Sequence, residues 1–117
     1  MIVRLPGSVP TRSRAVIYGG IVHAVAVSPD KPASVLEQTR GCLAAIDRSL
    51  AQAGTDKSRI LTATVYLADM AQKAAMDQGW SEWVSASDPP MRACVGVALE
   101  GRDLVEIVVA AALPDRA

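Results

Sequence analysis

Arg92 and Glu106 are the two residues of this chain whose types could do chemistry together. They lie in the stretch PPMRACVGVALEGRDLVEIVV, residues 89–109, among residues otherwise typical of buried strands. An ionised side chain in such a run is costly to desolvate unless it is paired or reached by water. Side chains alternate across a strand, so Arg92, Cys94 and Gly96 share one face. A hairpin with its turn near Gly101 puts Glu106 opposite Gly96, with Arg92 on the same side. Four strand residues separate the two levels by roughly 13 Å, so a direct salt bridge is strained, though Arg92 can reach part of the way. The space suits a small anion held by the guanidinium and approached by the carboxylate, with Gly96 leaving room. Two alternatives stand beside this reading: a one-residue register slip moves Glu106 to the other face, and charges in strands are often simple rim residues.

Other reactive side chains are scattered. His23 is the only histidine, on a strand among valines, with no partners at metal-ligand spacing; a packed or rim histidine is the simpler reading. No metal and no cofactor is expected. A nucleophilic Cys94–His23 pair lacks a third, orienting group. Cys42 and Cys94 lie far apart in apolar patterns and read as small hydrophobes in a reducing compartment. Trp80 and Trp83, three apart on a helix, read as core or interface packing. GTDKSR resembles a phosphate loop only in composition.

The bulk composition narrows the classes of partner. Lys+Arg and Asp+Glu balance at 12 each, so no basic field exists to hold a phosphate backbone. Aromatics make up only 3%, which leaves few stacking platforms for single strands. Nucleic acid is thus an improbable partner. No run approaches a membrane span and the N-terminus has no signal-peptide core, so a cytoplasmic protein without membrane contact is expected. With 117 residues, 50% of them hydrophobic, one domain over 1–117 is expected to bury its own core.

The elements that must position Arg92 and Glu106 follow from the patterns. Pro6, Gly7 and Pro10 suit an extended, irregular lead-in. SRAVIYGGIVHAVAVS reads as two strands around Gly19-Gly20. Ser34 or a neighbour caps a helix whose stripe is Leu36, Leu43, Ile46 and Leu50, ending at Gly54. RILTATVYLAD alternates as a strand. Helical spacing returns through Met76, Trp80 and Trp83, interrupted only by Gly79 and ended by Pro89-Pro90. Two strands around EGRD complete the order β-β-α-β-α-β-β. This predicts an α+β sandwich: one mainly antiparallel sheet with two helices on one face. The strands alternate little in polarity, so the second sheet face is partly apolar too and calls for a partner.

These segments resemble the RidA/YjgF family of reactive enamine/imine deaminases, also labelled endoribonucleases or translation inhibitors. The likeness runs from about residue 14 to 113. It is strongest in ILTATVYLADM, in the D-x-x-W-x-x-W helix, in PPMRACVGV and in LVEIVV. It implies a chorismate-mutase-like fold, a homotrimer, and ligand clefts between subunits. By the same resemblance Arg92 binds the substrate carboxylate, Glu106 positions the hydrolytic water, and Cys94 lies near the ligand. Asp77 stands where the family has an asparagine, and is carried over as substrate-binding. The family's S-G-Q motif falls on Val25, Ala26 and Val27, and its N-terminal tyrosine falls near Arg12.

The implied activity is hydrolysis of 2-imino acids to 2-keto acids and ammonia. Such a substrate carries a carboxylate for a planar guanidinium and an already electrophilic C=N carbon. Only a positioned water and a proton acceptor are then required, and Glu106 among Leu104, Ile107 and Val108 is expected to be partly desolvated for that role. Two alternatives share the fold: a non-catalytic trimer binding a small carboxylate, and an endoribonuclease-type member.

Overall fold

The lead-in expected to be irregular carries an edge strand. In the computed structural model, which describes residues 1–115, β1 (Val3–Pro6) pairs antiparallel with β2 (Ser13–Tyr18). Their register shifts between Leu5 and Pro6; proline has no N–H for a ladder and is tolerated at such an edge. Residues 116 and 117 of the expected domain lie outside the described part.

β2 turns into β3 (Ile21–Val27) through Gly19-Gly20, with φ of 61° and 81°. Positive φ at both central residues is what a twisted two-residue hairpin requires. Helix α1 (Val35–Ala53) opens at Ser34, whose hydroxyl accepts from the Glu37 N–H at 3.2 Å. It closes at Gly54, whose N–H bonds the Ala51 carbonyl at 3.1 Å. The expected stripe is buried at Leu43, Ile46 and Leu50, whereas Leu36 is only half-buried and Val35 and Cys42 complete the face. β4 (Ile60–Leu67), α2 (Lys73–Trp83), β5 (Met91–Gly96) and β6 (Val105–Ala112) follow.

The strands form one six-stranded sheet in the order β1-β2-β3-β6-β4-β5. β4 and β5 are the one pair of neighbouring strands that is parallel, and α2 supplies the crossover such a pair needs. β3 and β4, joined by α1, flank β6, so β6 fills the gap of a split β-α-β unit. The EGRD hairpin is therefore not formed. EGRD does turn, with the Asp103 N–H on the Glu100 carbonyl at 3.1 Å and Gly101 at φ 57°. That turn sits inside a longer loop that crosses the end of β4. Val97 donates to Leu67 O and Ala68 donates to Leu104 O, each at 3.0 Å, so the loop's two ends hang on opposite sides of β4.

Both helices lie on one face. Ala15, Val22, Ala24, Ala63, Val65, Leu67, Val105, Ile107, Val109 and Ala111 face them and form the core with Leu43, Ile46, Leu50, Met76 and Trp80. Gly79, the break in the second helix's pattern, lets α2 come close to α1: a Cβ there would lie 2.8 Å from Thr39 Cγ2. The opposite sheet face has no covering element among the described residues. It presents Val25, Val27, Thr62, Thr64, Tyr66, Glu106 and Val108, and at its β5 edge Met91 is 72% exposed and Val95 42%.

Candidate active site

β5, an edge strand, aims Arg92 toward α2. Its partner in the ladder is Ala63, on the helix-covered face, and three α2 side chains enclose the guanidinium. Nη2 donates to Asp77 Oδ1 at 2.8 Å, Nη1 lies 3.7 Å from Met76 Sδ, and Cζ stands 5.2 Å over the Trp80 ring. Only 20% of the Arg92 side chain remains exposed. A delocalised, weakly hydrated cation suits such a place, with an aromatic face below and a carboxylate at its edge. Asp77 also accepts from Lys73 Nζ through Oδ2 at 2.8 Å, one helical turn away. Lys73 first, and Arg92 next, hold the Asp77 carboxyl below its ordinary range despite opposing desolvation.

Cys94 shares Arg92's face, as the alternation requires. It is half-buried against the core and a free thiol. The next position on this face was expected to hold an anion over Gly96. Instead Met70 fills that space: a Cβ on Gly96 would lie 2.6 Å from Met70 Cγ.

Glu106 is elsewhere. In β6 it stands in register with Val27 on one side and Tyr66 on the other. These residues belong to the uncovered face, whereas Val105 and Ile107 point to the core. The expectation that Arg92 and Glu106 share a side is overturned, because it rested on β5 and β6 being direct neighbours. With β4 between them, the register changes and the two residues project from opposite faces. Glu106 is half-buried, and none of the ion pairs among the described residues includes it.

Arg12 is distant again. It lines an open groove of about 630 Å³ with Arg4 and the Pro6–Ser13 turn, beside β1 and so at the opposite sheet edge from Arg92 on β5. His23 is exposed on the uncovered face in register with Ala110. Cys94 lies on the other side, so no Cys94–His23 pair forms. Among the described residues, no group of three or more His, Cys, Asp and Glu side chains is placed to hold a metal ion. No described helix is long and apolar enough to cross a membrane.

Sequence reasoning missed the residue that ties the Glu106 strand to α1. Gln38 is 1% exposed. Its Nε2 donates to the Pro32 and Arg102 carbonyls at 2.8 and 2.9 Å, and its Oε1 accepts from the Leu104 N–H at 2.9 Å. Beside it Lys31 pairs with Asp103 and donates to the Ser28 carbonyl at 2.6 Å. Together they fix the loop that enters β6 two residues before Glu106. The available signal was a glutamine among the apolar positions of an amphipathic helix.

The family model described as Endoribonuclease L-PSP matches residues 8–113. A RutC family protein of Haemophilus ducreyi is 44% identical over 103 residues, 86% of this chain and 88% of the relative. The RutC family protein YoaB of Escherichia coli is 38% identical over 102 residues, 86% of this chain and 90% of its own length. The crystal structure of a YjgF family member from Neisseria meningitidis superposes with a TM-score of 0.93 at 36% identity, covering 99% of this chain and 98% of that one. Matched in sequence and in backbone over most of its length, the chain belongs to the Endoribonuclease L-PSP family, the family of the YjgF/RidA proteins.

Proposed function

We propose that the protein hydrolyses small reactive 2-imino acids, and their enamine tautomers, to 2-keto acids and ammonia. The site is built where two copies of a homotrimer meet, in the cytoplasm. Arg92 of one copy binds the substrate carboxylate through its guanidinium. Glu106 of a neighbouring copy holds the water. The oxygen of that water adds to the C=N carbon while Glu106 takes its proton. The nitrogen, protonated in turn, leaves as ammonia when the carbinolamine collapses to the ketone.

The observation that carries this reading is the division of the two charged residues between sheet faces. One chain alone cannot bring them to one ligand. A second chain laid on the uncovered face, which is apolar around Val25, Val27 and Val108, can supply what is missing. The chain's zero formal charge argues against the nuclease named in the family description as its activity.

The test generates 2-aminoacrylate in situ and follows pyruvate and ammonia release above the spontaneous rate. Glu106→Gln keeps shape but cannot accept a proton, and is expected to lower turnover by roughly 10²–10⁴ while carboxylate binding persists. Arg92→Ala is expected to abolish both. If Glu106→Gln turns over like the wild type, the hydrolytic reading fails. A protein that binds pyruvate but accelerates no imine hydrolysis would be a carboxylate-binding module.

A further inference from the structure

The proposed carboxylate-binding residue already holds a carboxylate. Asp77 Oδ1 sits on Arg92 Nη2 and Asp77 Oδ2 on Lys73 Nζ, both at 2.8 Å, so one anion is shared between two cations through different oxygens. The cations differ in surroundings. Arg92 is 20% exposed and fixed against Trp80 and Met76, whereas Lys73 is 42% exposed on a flexible stem. Asp77, 36% exposed, lies between them on the same helix as Lys73, at the i,i+4 spacing that keeps such a pair together without help from the sheet. Breaking the Arg92 contact therefore leaves Asp77 neutralised and hydrogen-bonded. It strands no buried charge, and the released guanidinium edge faces whatever anion replaces it.

We propose that Asp77 is an exchangeable counter-anion: a ligand carboxylate displaces it from Arg92, and Lys73 retains it on α2. The inference rests on Arg92 being the carboxylate-binding residue of the proposed function. Asp77 then opposes ligand binding instead of supporting it. It caps affinity for anions and keeps the guanidinium aligned while the site is free. Lys73 assists binding without touching the ligand, by holding Asp77 away from Arg92. On this chain's side of the site the charges are two positive and one negative, and Glu106 of the neighbouring copy adds a second negative one.

A double-mutant cycle on the oligomeric protein, read by calorimetric titration with pyruvate, tests this without reference to turnover. Asp77→Asn keeps the shape and a hydrogen-bond acceptor but removes the competing charge. It should tighten pyruvate binding by about tenfold, the scale of one charge-assisted hydrogen bond. Lys73→Met should weaken binding in the wild-type background and change it by less than about twofold in the Asp77→Asn background, where there is no anion left to retain. Weaker binding in Asp77→Asn would overturn the inference by making Asp77 a support of the site. Equal weakening by Lys73→Met in both backgrounds would overturn it too, since Lys73 would then act on the ligand directly. If neither the wild type nor Asp77→Asn binds pyruvate, the assignment of Arg92 itself falls, and the inference with it. If the wild type binds and Asp77→Asn is no tighter, only the inference falls.

Discussion

Arg92 and Glu106 stand on opposite faces of one sheet. Arg92 is in register with Ala63 of β4 and Glu106 with Tyr66, and positions three apart along a strand project to opposite sides. A site that uses both must draw them from different chains. The face that carries Glu106 also carries Val25, Val27, Thr64 and Val108 without cover from the described chain. Light scattering at micromolar concentration is expected to give particles of three chains, each of 12.3 kDa. A particle of one chain would contradict both the assembly and the shared site.

The two cysteines should be distinguished by a thiol reagent. Cys42 is 0% exposed, its thiol lies 3.0 Å from the Ala26 carbonyl, and burial pushes it up to about 12. The thiolate is the reactive form, so Cys42 should stay unlabelled by an alkylating agent at pH 8 until the protein unfolds. Mass spectrometry of native protein is expected to show at most one adduct per chain, on the half-buried Cys94. A Cys42 adduct on folded protein would contradict the packing of α1 on β3.

Gly79→Ala sets two effects against each other. Alanine gains about 1 kcal/mol of helix propensity over glycine. The new Cβ, however, meets Thr39 Cγ2 at 2.8 Å, and Thr39 is fully buried with its hydroxyl donating to the Val35 carbonyl at 2.7 Å. Overpacking of this kind costs about 1–3 kcal/mol. Steric cost should win, so denaturant unfolding is expected to show a net loss of up to about 2 kcal/mol. Adding Thr39→Ser removes the methyl and should return most of that loss.

Asp77 also gives a pH dependence with a definite sign. Its carboxyl is held below the ordinary value of 3.8 in the folded chain, first by Lys73 and then by Arg92. The unfolded chain therefore takes up this proton first as pH falls. The contribution to stability is full above the ordinary value and is lost as pH drops through it toward the folded value. Thermal melts between pH 5 and 2.5 should fall less steeply for Asp77→Asn than for the wild type. Because Asp77 is more than a third exposed, solvent screening keeps the difference modest. Parallel curves would mean that the shared ion pair does not hold in solution.

Local structure was largely legible in the sequence, because it depends on neighbours in the chain. Gly19-Gly20, Ser34 and Gly54 each mark a turn or cap through their own backbone preferences, whereas α2 ends at Trp83, well before the Pro89-Pro90 expected to stop it. The helical stripe of α1 reads directly from Leu43, Ile46 and Leu50. Strand pairing was not legible. The EGRD turn forms, but whether β6 lies beside β5 or across β4 depends on which edge of β4 is free, and no local signal carries that. That single difference moved Glu106 to the other face. Asp77 and Arg92 were each singled out, but not their contact, since the meeting of α2 with β5 is tertiary. Gln38 was missed for a related reason: a buried polar residue reads as a solvated one until the Leu104 and Arg102 backbone groups it satisfies are in view.

The central claim, that one site takes Arg92 from one copy and Glu106 from another, is tested most directly by mixing two inactive variants. Arg92→Ala and Glu106→Gln are each unfolded, combined in equal amounts and refolded together, with each refolded alone as controls. Random assembly pairs an intact Arg92 with an intact Glu106 at about one site in four, so the mixture should recover about a quarter of wild-type imine hydrolysis. The controls should recover almost none. A mixture no more active than its controls, from trimers shown to contain both variants, would contradict the shared site.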